Sequence, residues 1–338
     1  MSLTTRFTQE YGLRTPIAQA GMAFVGSTPE LAIAVCRAGG LGSLGVGLMP
    51  APVLTDAVKA IVAGTAGAFN VNFITVFTDQ SHIDAVCSAG VPVASFHWGH
   101  PSRAWIDQLH SAGTRVFEQV GSVDDARRAV DDGIDVVVAQ GLEAGGHNFA
   151  TLPTFALVPL VVDAAAPALV LASGGIADGR GLAAAISLGA QGVSMGTRFV
   201  ASEECWSPRA YKERVVASGA ADTVYASDLY HVNWPDAPHR VLRNRLVREW
   251  EDAGKPAPGR KPGEGTTIGV SRRADGSTIE VMRYTAAMPT GAFEGDLELA
   301  GLFAGESAEL VHDIKPAGDI VREIARDADR ILAERVAV

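Results

Sequence analysis

The sequence predicts an α/β protein, a (β/α)8 TIM barrel with a C-terminal extension or cap, and three observations carry that expectation. Short runs of β-forming residues recur eight times up to about residue 200. Amphipathic stretches with helical spacing separate them. Glycines stand where those helices should stop. Alternating β and α elements with largely apolar strands require a parallel sheet covered by helices, and eight such units favour closure over an open doubly wound sheet.

The β runs are 15–20 (TPIAQA), 41–45 (LGSLG), 68–73 (AFNVNF), 91–97 (VPVASFH), 114–120 (TRVFEQV), 135–140 (DVVVAQ), 168–173 (ALVLAS) and 192–197 (GVSMGT). Segments such as Pro29-Glu-Leu-Ala-Ile-Ala-Val-Cys-Arg-Ala and Val123-Asp-Asp-Ala-Arg-Arg-Ala-Val supply the helices. Ala38-Gly39, Ala89-Gly90, Ala112-Gly113, Asp132-Gly133 and Leu188-Gly189 end them, with Gly available for a left-handed cap. Beyond about residue 200 the rhythm stops, and 206–300 is rich in Pro, Gly, Arg and Trp. The expected organisation is a barrel over 1–205, an extension or cap, partly loop, over 206–300, and a C-terminal helical segment over 301–338 packing on the barrel. Its helical pattern runs from about Ala317 to Val336.

Apolar residues make up 47% of the 338-residue chain and charged residues 20%, as in an ordinary globular enzyme. The formal net charge of -10 argues against nucleic acid or an anionic membrane as a partner, because either calls for a clustered basic surface. A small-molecule substrate fits better. Without a leader-like start or a long apolar run, the sequence predicts a cytoplasmic protein. Cys36, Cys87 and Cys205 form no CxxC, so no disulfide framework or zinc site is expected. Cys36 and Cys87 fall in helical patterns and are read as core. No Asp, Glu, His and Cys set shows metal-ligand spacing.

Gly40-Leu-Gly42-Ser-Leu-Gly45 matches the dinucleotide fingerprint, but that motif works only with a strand before it and a helix after it. Here the order is reversed, and the match is read as a decoy. Two other constellations carry chemistry. Ala172-Ser173-Gly174-Gly175-Ile176 follows the seventh strand and Ser194-Met195-Gly196-Thr197 the eighth, where many barrels bind phosphate through backbone N–H groups and a short helix. The alternative is that these glycines only make tight turns. Gln140-Gly141-Leu142-Glu143-Ala144-Gly145-Gly146-His147 leaves the sixth strand at the catalytic end of the barrel. Its glycines leave room for a flat ligand, and His147 is suited to removing a proton from a carbon acid. A histidine bonded to a neighbour is the other reading.

Ser95-Phe-His97-Trp98 ends the fourth strand, and strand periodicity places Ser95 and His97 on one side with Phe96 on the other. If that side faces the barrel, His97 reaches the same cavity; a core histidine is the alternative. Asn72 ends the third strand, where its amide could bond a flavin pyrimidine or merely cap a turn.

These residues resemble the nitronate monooxygenase family, formerly called 2-nitropropane dioxygenases. The likeness runs over about residues 5 to 205 and rests on Pro16-Ile-Ala-Gln-Ala20-Gly21-Met22, Ala38-Gly-Gly-Leu-Gly42, Phe69-Asn-Val-Asn72, Ser95-Phe-His-Trp-Gly99, Gln140 to His147, Ala172-Ser-Gly-Gly-Ile176 and Met195-Gly-Thr-Arg-Phe199. The resemblance implies FMN across the barrel mouth, its phosphate held around Ser173, Gly174, Gly175, Ser194, Met195, Gly196 and Thr197. Ala20, Gly21, Met22, Asn72, Gln140, Gly145 and Gly146 would line the rest of the flavin. His147, with His97 nearby, would be catalytic. The implied reaction oxidises an alkyl nitronate with O2 to a carbonyl compound and nitrite, with His147 first removing the α-proton when a neutral nitroalkane is the substrate. Gly21 replaces the family's more frequent Pro, and Ser194 a frequent Gln. The 206–300 segment assigns no substrate residue, which leaves Tyr225, Tyr230 and Tyr284 unplaced. NAD(P)H-dependent flavin reductases, of the quinone or enoyl-ACP type, share several of these motifs and are the alternative; an idle flavin-binding barrel is a remote third. A homodimer is left open.

Overall fold

The computed structural model describes residues 3–272 and 276–336. Eight parallel strands form its centre: Ile17–Gln19, Gly42–Gly45, Phe69–Ile74, Val93–His97, Arg115–Val120, Val136–Gln140, Leu169–Ser173 and Gly192–Met195. Each pairs with its neighbour in chain order, and the first pairs with the eighth. The Ala18–Leu41 bridge joins the first strand to the second and closes the barrel.

The eighth strand is shorter than expected from the sequence, because Gly196 leaves the ladder and Thr197 opens a short helix, Thr197–Val200. In the decoy segment, Pro29–Ala38 is helical and Gly39 caps it at φ 95°. Gly42 then begins a strand, and a side chain there would collide with the backbone of Ala32 on that helix. The glycine serves close helix–strand packing.

The inward and outward faces of the strands differ as period two requires. Phe7, Val93, Phe117, Val136 and Leu169 belong to one buried apolar cluster. The N-terminal helix Arg6–Tyr11 adds Tyr11, whose ring meets Phe117 edge-on at 5.2 Å. On the helical side, Phe96 stacks between Phe73, at 5.5 Å, and Trp105, at 6.4 Å. Cys36 is buried with its thiol toward the Ala68 carbonyl, whereas Cys87 is only partly buried.

After Val200 the chain builds a second layer over the barrel mouth. Strands Thr223–Ala226 and His239–Leu242 pair antiparallel, and the second also pairs with the two-residue strand Gly146–His147. Strand Thr267–Arg272 pairs with Thr278–Met282 and Phe293–Gly295. Leu229, Tyr230, Val241, Leu246, Tyr284 and Phe303 form the core of this layer. Tyr230 and Tyr284 are core residues whose hydroxyls donate to the carbonyls of Ala300, at 3.0 Å, and Pro262, at 2.8 Å. The final helix, Ala317–Val336, packs against helices Gly179–Ser187 and Pro29–Ala38. Among the described residues no helix is long and apolar enough to cross a membrane.

Candidate active site

The C-terminal ends of the strands surround a cleft of about 1030 Å³ open to solvent. Strand register sets its rim. Gln140 lies beside Ser173, and Ser173 beside Ser194. Gln19 lies beside Met195, and Gly45 beside Asn72. One level of the barrel therefore presents the ends of all these strands together.

The structure brings together fifteen of the sixteen residues singled out above. Ala20, Gly21 and Met22 follow the first strand, and Asn72 lies on the third. His97 enters from the fourth strand, and Gln140, Gly145, Gly146 and His147 from the sixth and its loop. Ser173 ends the seventh strand and Gly174 follows it, while Ser194 and Met195 end the eighth and Gly196 and Thr197 follow. Gly175 does not line the cleft; a side chain at this position, where φ is 70°, would face Glu143 instead.

The loop after the sixth strand is held from several sides. A side chain on Gly141 would collide with Thr154, and one on Gly145 with the backbone at Gly305. The Asn148 amide donates to the carbonyl of Gly141 at 2.9 Å, and Arg240 Nη2 donates to that of Leu142 at 3.1 Å. Tyr225 braces the far end, its hydroxyl donating to the Asn148 carbonyl at 2.8 Å. Pairing of His147 with His239 then fixes the catalytic candidate in register with the extension.

His147 is enclosed by aromatic rings. Trp234 stacks on it at 3.8 Å, Phe303 lies nearly parallel at 5.3 Å, and Trp98 approaches edge-on at 5.7 Å. Its Nε2 is buried without a hydrogen-bond partner. Burial holds the ring well below the usual histidine range, and the neighbouring His239 and His97 push the same way. His147 is therefore neutral near pH 7.

His97 is held at Nδ1. Gln119 Nε2 can only donate, so His97 Nδ1 accepts that bond, at 2.9 Å. The remaining ring N–H is directed to the backbone of His147. Burial lowers the pKa to about 4, with the His147 bond opposing the shift. Ser95, on the same side of the strand, accepts from the amides of Asn70 and Asn72, each at 2.8 Å. Both residues thus face the barrel interior.

The site suits a flat anionic cofactor. Gly174 has φ 103°, a conformation L side chains avoid. The backbone N–H groups of Gly174, Gly175 and Gly196 donate to no acceptor among the described residues. They supply the kind of cradle that a phosphate group requires. A side chain on Gly21 would collide with Asn72, so bare backbone adjoins that amide at the opposite rim.

Several lining residues escaped the sequence reading. Gln119 had a local signal, as a polar residue near the C-terminal end of the strand next to the one carrying His97. Trp234, Ala286 and Met288 come from the extension, and Phe303 and Ser307 from the C-terminal segment that follows it. No motif or periodicity marks them.

A closed barrel with glycine-lined turns and a neutral histidine at its C-terminal mouth defines a (β/α)8-barrel enzyme. The nitronate monooxygenase family model matches residues 5–82 and 68–327. The chain belongs to that family, and it is an oxidoreductase. It is 32% identical to a Mycobacterium tuberculosis (3aS,4S,5R,7aS)-5-hydroxy-7a-methyl-1-oxo-octahydro-1H-indene-4-carboxyl-CoA dehydrogenase, with 97% of each chain covered. It superposes on FabK from Thermotoga maritima with a TM-score of 0.82 at 35% identity, covering 99% of both chains. A nitroalkane oxidase from Streptomyces ansochromogenes matches with a TM-score of 0.77 at 26% identity, over 97% of this chain and 99% of the other.

Proposed function

We propose that the protein is an FMN-dependent nitronate monooxygenase that oxidises alkyl nitronates, and nitroalkanes after deprotonation, with O2 to carbonyl compounds and nitrite. The observation that carries this reading is His147, neutral and with a ring nitrogen lacking any protein partner, in the wall of the cleft at the barrel mouth. When bound, FMN supplies the electron acceptor for the nitronate and the reaction with O2. Gly174, Gly196 and Thr197 would hold its phosphate, and Met22, Asn72 and Gln140 its ring system. His147 takes the α-proton of a neutral nitroalkane; a bound nitronate needs no such step. His97 is a positioning residue, because its Nδ1 is committed to Gln119 and burial keeps the ring uncharged.

A second reading is favoured by one comparison. Identity to the CoA-thioester dehydrogenase and to FabK, 32% and 35%, exceeds the 26% to the nitroalkane oxidase. On that reading the chain would be a pyridine-nucleotide- or thioester-linked flavin oxidoreductase. Anaerobic mixing separates the two. Bleaching of the flavin by butylnitronate but not by NADH or NADPH supports the monooxygenase; bleaching by NAD(P)H alone supports the second reading and rejects the first.

A further inference from the structure

The part of the cleft built by the extension and the segment after it differs in character from the part built by the barrel. Trp234, Ala286, Met288 and Phe303 make an apolar wall beside His147. No Asp, Glu, Lys or Arg among the described residues lines the cleft. Its ionisable groups are His97 and His147, and burial keeps both uncharged.

The cations on the neighbouring elements are already engaged. Arg240 Nη1 lies 3.0 Å from Glu306 Oε1, while the same guanidinium holds the Leu142 carbonyl. Arg198 is buried 2.7 Å from Asp313 Oδ1. Lys261 donates to the Leu229 carbonyl at 3.0 Å and sits 2.8 Å from His231 Nδ1. The Arg240 and Arg198 side chains are only 8% and 6% exposed, so moving any of these cations off its partners would leave a desolvated charge or a backbone carbonyl unpaired, which costs more than a distant charge pair returns. A net charge of -10 adds a long-range field against a second negative charge on the substrate.

We propose that the substrate carries an uncharged apolar substituent on its reacting carbon, that this group packs against Trp234, Met288 and Phe303, and that these three residues set specificity against carboxylate-bearing substrates. The head group is taken from the nitronate reading. The tail is read from the wall alone. Each methylene placed against such a wall strengthens binding about four-fold at full burial, and a carboxylate left there unpaired weakens it by at least about 100-fold.

The experiment has two arms. The FMN-loaded enzyme is assayed for kcat/KM on ethyl-, butyl- and hexylnitronate and on propionate 3-nitronate. Values should rise by about two- to four-fold per methylene, with propionate 3-nitronate at least about 100-fold below butylnitronate. The second arm follows tryptophan fluorescence during titration with unreactive 1-hexanol and hexanoate at pH 8; the alcohol should bind at least about ten times more tightly. Met288→Lys should invert the preference, gaining at least about ten-fold on propionate 3-nitronate and losing on hexylnitronate.

Propionate 3-nitronate equal to or better than butylnitronate in the wild type overturns the proposal. So does the absence of any chain-length dependence in turnover, or equal binding of hexanol and hexanoate. If no nitronate reacts but the alcohol still outbinds the carboxylate, the nitronate reading fails and the assignment of the wall stands.

Discussion

The imidazole of His147 lies flat on the indole of Trp234, with ring centres 3.8 Å apart and planes 23° from parallel. The contact joins the residue best placed to move a proton to a residue of the extension. It also contributes to the burial that keeps the imidazole neutral.

Trp234→Ala should therefore raise the pKa of His147 toward the ordinary value near about 6.5. The neutral ring is the competent base, so kcat/KM on a neutral nitroalkane falls only on the acid side. In the wild type that fall lies well below pH about 6.5; in the variant it moves up. A pH–rate profile of both proteins checks this, and an unmoved acid limb removes Trp234 from control of His147.

His147→Asn should retain flavin while losing about 100-fold or more in turnover of neutral nitroalkanes. Preformed nitronates, which need no proton removed, should lose much less. Flavin content by absorbance and paired assays on nitroethane and ethylnitronate measure the split. Equal losses on both substrates would falsify the base role.

Gly145→Ala should cost stability rather than chemistry alone. The added methyl meets backbone at Gly305, which cannot swing aside as a side chain could. A loss of about 1–3 kcal/mol is expected for such overpacking, read as a lower urea midpoint. An unchanged midpoint would mean that the 304–306 segment shifts freely.

Acid should weaken the fold through its buried histidines. Burial lowers His97 and His239 to about 4 from an unfolded value of 6.5. The stabilising contribution of each is full above pH 6.5 and is lost as pH falls to about 4, amounting to about 3 kcal/mol apiece. Glu118 works in the opposite sense. Burial raises it to about 7, so its folded form prefers the proton and regains stability over part of the same range. Urea midpoints should thus decline between pH 6.5 and 4 by less than the histidine sum, while NMR shows no His97 or His239 titration between about pH 5 and 8. A stability that holds level down to pH 4 would contradict this.

The sequence by itself determined the barrel and much of its mouth. Short, largely apolar β-forming runs and glycine-stopped helices are local signals, and a parallel barrel places the end of each strand at its mouth whatever follows. That is why Asn72, His97, Gln140, Ser173 and Ser194 could be assigned to one site from strand order, and why Gly40 to Gly45 could be set aside. Gly175 is absent from the cleft lining because its backbone conformation, invisible in the residue string, aims any side chain toward Glu143, while its N–H remains unpaired among the described residues. The tertiary structure alone decided what surrounds His147. Trp234, Met288 and Phe303 lie in a segment without repeating pattern, and Trp234 and Phe303 stack on a histidine whose own strand, Gly146–His147, pairs with the distant strand His239–Leu242. Burial, the missing partner at Nε2 and the neutrality of the ring follow from that long-range pairing, since desolvation depends on which distant side chains exclude water.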